Sequence, residues 1–162
     1  MAVEWCEVDK EVLRIAEEVI AEYHPELQDC SIGFLFRSEG PVSAGKVTLG
    51  KARKIPAEQR VYMDYDFVIW LAEDWWRRLK PEQRVALIDH ELTHCRMDDE
   101  EKAWIAPHDV EEFNCIIERH GFWWPQAEPT MKAVQATLIS MPSRVGRIGA
   151  VTLSEMAREG GL

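Results

Sequence analysis

The stretch Pro81 to Cys95, PEQRVALIDHELTHC, decides the fold of this chain. It opens with signals for a helix start. Pro81 suits the first helical position, where its missing N–H costs nothing, and Glu82 complements the positive end of the helix dipole. Inside it stands His90-Glu91-Leu92-Thr93-His94, an H-E-x-x-H pattern. Residues four apart on a helix lie one above the other, so both imidazoles can reach one metal ion. Glu91 is offset by one step, toward the position that such an ion leaves open. A carboxylate there can take a proton from metal-bound water. At about 100° per residue, Val85, Ile88, Leu92 and Cys95 fall on one side of the helix, with His90 and His94 roughly opposite. Leu87 shares the histidine side and would floor the site. The expectation is a helix with one face in the core and the other offering two histidines to a cleft.

Working outward, Val8 to Tyr23 has apolar residues at helical spacing and ends at His24-Pro25, because the residue before proline avoids the α region. Ser31 to Arg37 reads as a strand and Ser38 to Pro41 as a turn. Lys46 to Lys54 reads as a second strand, with Val47, Leu49 and Ala52 on one face. Asp66 to Leu71 is the most apolar strand, buried on both faces or nearly so. It is also a candidate edge along which a substrate backbone would pair. Asp98 to Glu101 reads as an acidic, solvated loop. A second helix is expected from about Pro107 to His120, capped by Gly121. Thr130 to Met141 reads as a further helix, and Arg144 to Arg147 and Gly160-Gly161 as loose segments. The order of helix, three strands, helix and helix predicts an α+β domain. Residues 1–125 would form it, with 126–162 an extension packed on or trailing it.

The 162 residues suffice for one hydrophobic core, and 46% apolar with 30% charged residues is a globular rather than a disordered composition. No apolar run is long enough to span a bilayer. The acidic start, Met1 to Glu7, lacks the basic and apolar regions of a signal peptide, so a cytoplasmic location is expected. Cys6, Cys30, Cys95 and Cys115 are scattered without a CxxC pair and read as buried free thiols. The formal net charge of −10 argues against broad electrostatic binding to nucleic acid, though a local basic patch stays open. Trp75-Trp76 and Trp123-Trp124 read as packing residues.

A catalytic zinc ion takes three protein ligands and a water. The downstream candidates for the third are Glu100, Glu101, His108, Asp109, Glu111, Glu112, Glu118 and His120. The metzincin pattern fails, since Met97 and Glu100 stand where it needs Gly and His. Glu112 or Glu118, on a helix over 109–119, would make a thermolysin-like site. His108 is preferred: it starts the second helix after a loop long enough to fold that helix back, and imidazole is a favoured zinc ligand. His120, at a helix C-terminus, has an ordinary electrostatic role there.

Two segments, DHELTHC (Asp89–Cys95) and PHDVEEF (Pro107–Phe113), together resemble known zinc-peptidase families. The chain is similar to the SprT-like and WLM groups, in which a compact sheet precedes the H-E-x-x-H helix and a third histidine follows in an H-x-x-x-[FW] pattern. It is closer to the putative phage metallopeptidase family, where an H-D-x-E-E-F segment follows that helix. The resemblance covers roughly residues 5–125. It implies a zincin-like fold, with His90, His94 and His108 as zinc ligands and Glu91 as general base. It also implies hydrolysis of a protein or peptide substrate, in the host cytoplasm if the chain is phage-encoded. Phe113 lies five residues after His108 instead of four, and the cysteine-rich zinc ribbon of many SprT-like proteins is missing. Two other readings stand beside this one. One is a non-catalytic protein stabilised by zinc. The other is a DNA-associated protease recruited through Arg144, Arg147 and Arg158.

Overall fold

The structure, a computed structural model, describes residues 2–108 and 112–123. The chain divides into two compact units, Met1–Pro125 and Gln126–Leu162. All the described residues belong to the first, so the helix expected at Thr130 to Met141 lies outside them.

The first unit is a small α+β fold. Strand β1 (Trp5–Glu7) leads into helix α1 (Lys10–Tyr23), and Asp9 caps that helix by accepting the Val12 N–H at 3.1 Å. Val12, Ile15, Ala16 and Val19 line its buried face. The helix stops at His24, and Pro25–Leu27 makes a single 3-10 turn. Strand β2 (Ile32–Arg37) follows, then a short hairpin of β3 (Val42–Ser43) and β4 (Lys46–Val47). Ala44 and Gly45, both at positive φ, turn that hairpin as a two-residue loop requires. The expected strand over Lys46–Lys54 is thus two strands, β4 and β5 (Gly50–Lys54). Strand β6 (Phe67–Ala72) completes a four-stranded sheet in the order β1-β2-β6-β5.

Strand β6 is central. It pairs in parallel with β2, Ile32 opposite Phe67, and antiparallel with β5, Gly50 opposite Leu71. Its burial follows from that place: Phe67, Ile69 and Leu71 are fully buried toward the helices, and Trp70 and Ala72 are buried on the other face. The expectation that Asp66–Leu71 forms an edge is therefore wrong. An apolar run reports burial, and here the burial comes from strand neighbours on both sides; the edges are β1 and β5. The three-residue β1, too short and exposed to leave a pattern, is the strand of this sheet that sequence reading missed, and its Cys6 is exposed where a buried thiol was expected.

After the single turn α2 (Glu73–Trp76), helix α3 (Pro81–His94) carries the H-E-x-x-H residues. It is not two-faced. Ala86, Leu87, Ile88, Asp89, Glu91, Leu92 and Thr93 are all buried, because α1, β5 and a later helix surround it. Leu87 is buried within the main core. Backbone turns extended at Cys95 into a hairpin of β7 (Cys95–Met97) and β8 (Ala103–Ile105). The acidic run at its tip is a built turn: Asp98 Oδ1 accepts the N–H groups of Glu100 and Lys102 at 2.9 and 2.8 Å. The last described helix, α4 (Asn114–His120), has only seven residues and is closed by Gly121 at φ 65°. It starts well after Pro107, so His108 lies on the segment that leads to it and not on the helix. No helix among the described residues is long and apolar enough to cross a membrane.

Candidate metal centre

His90 and His94 stand one turn apart on α3, with ring centroids 5.1 Å apart. Each has its Nδ1 occupied. His94 Nδ1 donates to the Ala106 carbonyl at 2.6 Å, and the Ala106 N–H returns a bond to the His94 carbonyl at 2.8 Å. A carbonyl oxygen can only accept, so the His94 proton sits on Nδ1 and its Nε2 carries a lone pair. His90 Nδ1 meets Glu112 Oε1, which fixes its ring in the same sense. The hairpin β7–β8 thus has a task that sequence reading did not foresee: it brings Ala106 back to hold His94.

His108 closes the group. Its Nε2 lies 3.1 Å from His90 Nε2, and its ring centroid is 4.9 Å from that of His90 and 4.6 Å from that of His94. One nitrogen from each of the three rings falls within 4.8 Å of the other two, so together they could hold a metal ion. The donor set suits zinc. Nitrogens held by a tetrahedral zinc ion at ordinary bond lengths lie about 3.4 Å apart, close to the observed His90–His108 separation. Phe113, buried, packs against all three rings with centroids 4.8 to 5.5 Å away. It forms an apolar wall that limits how the rings can turn.

Glu91 lies against β5, its Oε1 near Gly50, and is 3% exposed. Burial pushes its carboxyl up to about 7, against the opposing pull of His90 and of the nearby Ala52 N–H. Its Oε2 has no hydrogen-bond partner among the described residues, an uncommon state for a buried oxygen. Burial also lowers His94 to about 4, which keeps that ring neutral and able to ligate.

The other sequence candidates separate cleanly. Glu112 is buried but faces the Nδ1 side of His90. Its Oε1 also accepts the Phe113 N–H at 2.8 Å, and its Oε2 accepts Trp123 Nε1–H at 3.0 Å. Burial alone would raise the Glu112 carboxyl, but these donors, His90 first, hold it below the ordinary carboxylate range. Glu118 is exposed on α4, and Glu100 and Glu101 sit at the hairpin tip. His120 bonds to Asp89 Oδ2 at 2.8 Å, away from the three-histidine group. Asp109 and Glu111 lie outside the described residues, as does Trp124.

Sequence reasoning missed Asp89. This fully buried carboxylate accepts from His24 Nε2 at 2.7 Å, from Arg119 at 2.9 and 3.0 Å, and from His120. It ties the end of α1 and the end of α4 to α3, one residue before His90. The one available signal was an acidic residue beside the motif on a helix with several apolar neighbours.

A family model described as putative phage metallopeptidase matches residues 3–138. Nothing matches among curated proteins or among solved structures.

Proposed function

The chain belongs to the Putative phage metallopeptidase family, and from that premise we propose that it is a zinc-dependent peptidase in which His90, His94 and His108 hold the metal and Glu91 is the general base. The observation that carries this reading is the convergence of three imidazole nitrogens beside a buried carboxylate with an oxygen left unbonded. When bound, a zinc ion would polarise the scissile carbonyl and make its water acidic.

The chain's own residues supply the rest. Glu112 and the Ala106 carbonyl orient two of the rings by their Nδ1 atoms. Glu91, titrating near neutrality, can accept a proton from the attacking water and return it to the leaving amine. A substrate backbone would align along β5. The Leu49 carbonyl and the Ile55 N–H bond to Ala72 and Asp66. By alternation, Gly50, Ala52 and Lys54 therefore turn their main-chain groups to the outer edge, the Ala52 N–H toward Glu91. Protein or peptide is the substrate class that the family name carries. A zincin-like domain over 1–125 with an extension over 126–162, and action in a phage-infected host's cytoplasm, complete the proposal.

Glu91→Gln tests it. The amide keeps size and hydrogen bonding but cannot take the proton, and loss of a general base costs about 10² to 10⁴ in rate. The variant should hold zinc like the parent and lose nearly all cleavage of a peptide library. Cleavage of the same peptides at the parent's rate would remove Glu91 from the chemistry.

A further inference from the structure

Gly50 begins β5 where that strand passes Glu91. Its φ lies outside the left-handed region, so its backbone conformation would admit any residue. Space is what excludes a side chain. A β-carbon on Gly50 would sit 2.9 Å from Glu91 Oε1 and 3.2 Å from both Cδ and Cγ. Carbon makes favourable contact near 3.5 to 4.0 Å, roughly, so the whole end of the Glu91 side chain stands in the place of that carbon. Two residues along, the Ala52 N–H lies near the same carboxylate and favours its charged form. Glu91 is therefore laid against the backbone of an edge strand, in a place that an absent side chain leaves open. Its Oε2 is left without a partner among the described residues.

We propose that Gly50 is a positioning residue for Glu91. Its missing β-carbon lets the carboxylate lie against β5, which fixes where its oxygens point. This rests on the reading of Glu91 as general base given above. A methyl group at position 50 would push the carboxylate off the strand. A misplacement of about 1 Å in a reacting group can cost on the order of a hundredfold in rate.

The test is a cycle of Gly50→Ala and Glu91→Ala, singly and together, read first as thermal unfolding of the metal-free chain. Replacing a strand glycine by alanine ordinarily stabilises, because it restricts the unfolded chain. Gly50→Ala should therefore lower Tm in the parent, where the methyl meets Glu91, and leave Tm unchanged or raise it in the Glu91→Ala background. The same shift in both backgrounds would overturn the proposal. Next come zinc content and the cleavage of peptides that the parent cleaves. Gly50→Ala should keep its zinc and lose at least about tenfold in kcat, with KM within about twofold. Gly50→Ala combined with Glu91→Asp should cleave no more slowly than Glu91→Asp alone, since the shorter side chain clears the methyl. A parent-like kcat in Gly50→Ala would equally overturn it. If the Tm coupling is present but the parent cleaves nothing, the peptidase reading fails while Gly50 still sets the place of the carboxylate.

Discussion

Asp89 and His90 are neighbours on α3, yet each anchors a different cluster built from the same residue types. Around Asp89, His24, His120 and Arg119 spend their donors on two carboxylate oxygens, and both oxygens are filled. Around His90, a carboxylate again takes a ring nitrogen, but that bond turns the other nitrogen toward two more histidines. The first cluster has used its hydrogen-bonding capacity internally. The second brings one nitrogen of each of three rings together, an arrangement that a cation or a shared proton satisfies. Composition does not tell a latch from a candidate metal centre; the placing of the ring nitrogens does.

The largest effect on zinc affinity should come from replacing, one at a time, the two histidines that the sequence offered as third ligand. If the apparent zinc-binding free energy of such donor sets, on the order of 10 kcal/mol, is shared among three ligands, each contributes about 3 kcal/mol, or a hundredfold in affinity. His108→Ala should show that loss in a competition titration with a chelator, and His120→Ala should leave zinc affinity within about threefold of the parent. Equal losses would erase the contrast between the clusters.

Asp89→Ala probes the other cluster. Removing one side of a buried ion pair typically costs about 3 to 5 kcal/mol, because its partners keep their burial and lose their acceptor. Urea unfolding of the metal-free variant should show a loss of that size. Variant that remains folded should still bind one zinc per chain. If Asp89→Ala is as stable as the parent, the carboxylate is no latch.

The sequence made the two elements with the strongest local signals readable. Pro81 and Glu82 open α3 as expected, and α1 carries its buried residues at helical spacing. The His90–His94 spacing follows from that helix alone. His108 was readable as a candidate, though its place was misjudged. Pro107 looked like a helix start, but the adjacent Ala106 is held by two bonds to His94, so the chain runs on without helix there. Other features depend on partners far along the chain. Asp89 and Glu91 are polar, so periodicity alone does not predict their burial; the partners of Asp89 lie 65, 30 and 31 residues away. The central place of β6 has the same origin. Its apolar residues declare burial, whereas its neighbours β2 and β5 are set by tertiary pairing.

The smallest effect, and the finest test of the contrast, lies at Glu112. Its Oε1 receives both His90 Nδ1–H and the Phe113 N–H, and its Oε2 receives Trp123 Nε1–H. Glu112→Gln can keep the first two bonds on its single oxygen. Its amide group would then face the Trp123 donor, so one bond and the charge are lost while the His90 ring stays oriented. Losing the partner that orients a ligating histidine typically costs 10- to 100-fold in metal affinity, roughly. Glu112→Ala should fall in that range and Glu112→Gln below it, at less than about tenfold. If glutamine is as damaging as alanine, charge and not orientation is what Glu112 supplies. If neither variant changes zinc affinity, Glu112 is a latch like Asp89 and the two clusters differ less than their geometry says. If Glu112→Ala is worse than His108→Ala, the third ligand is a carboxylate, and the three-histidine centre proposed here is replaced by a thermolysin-like one.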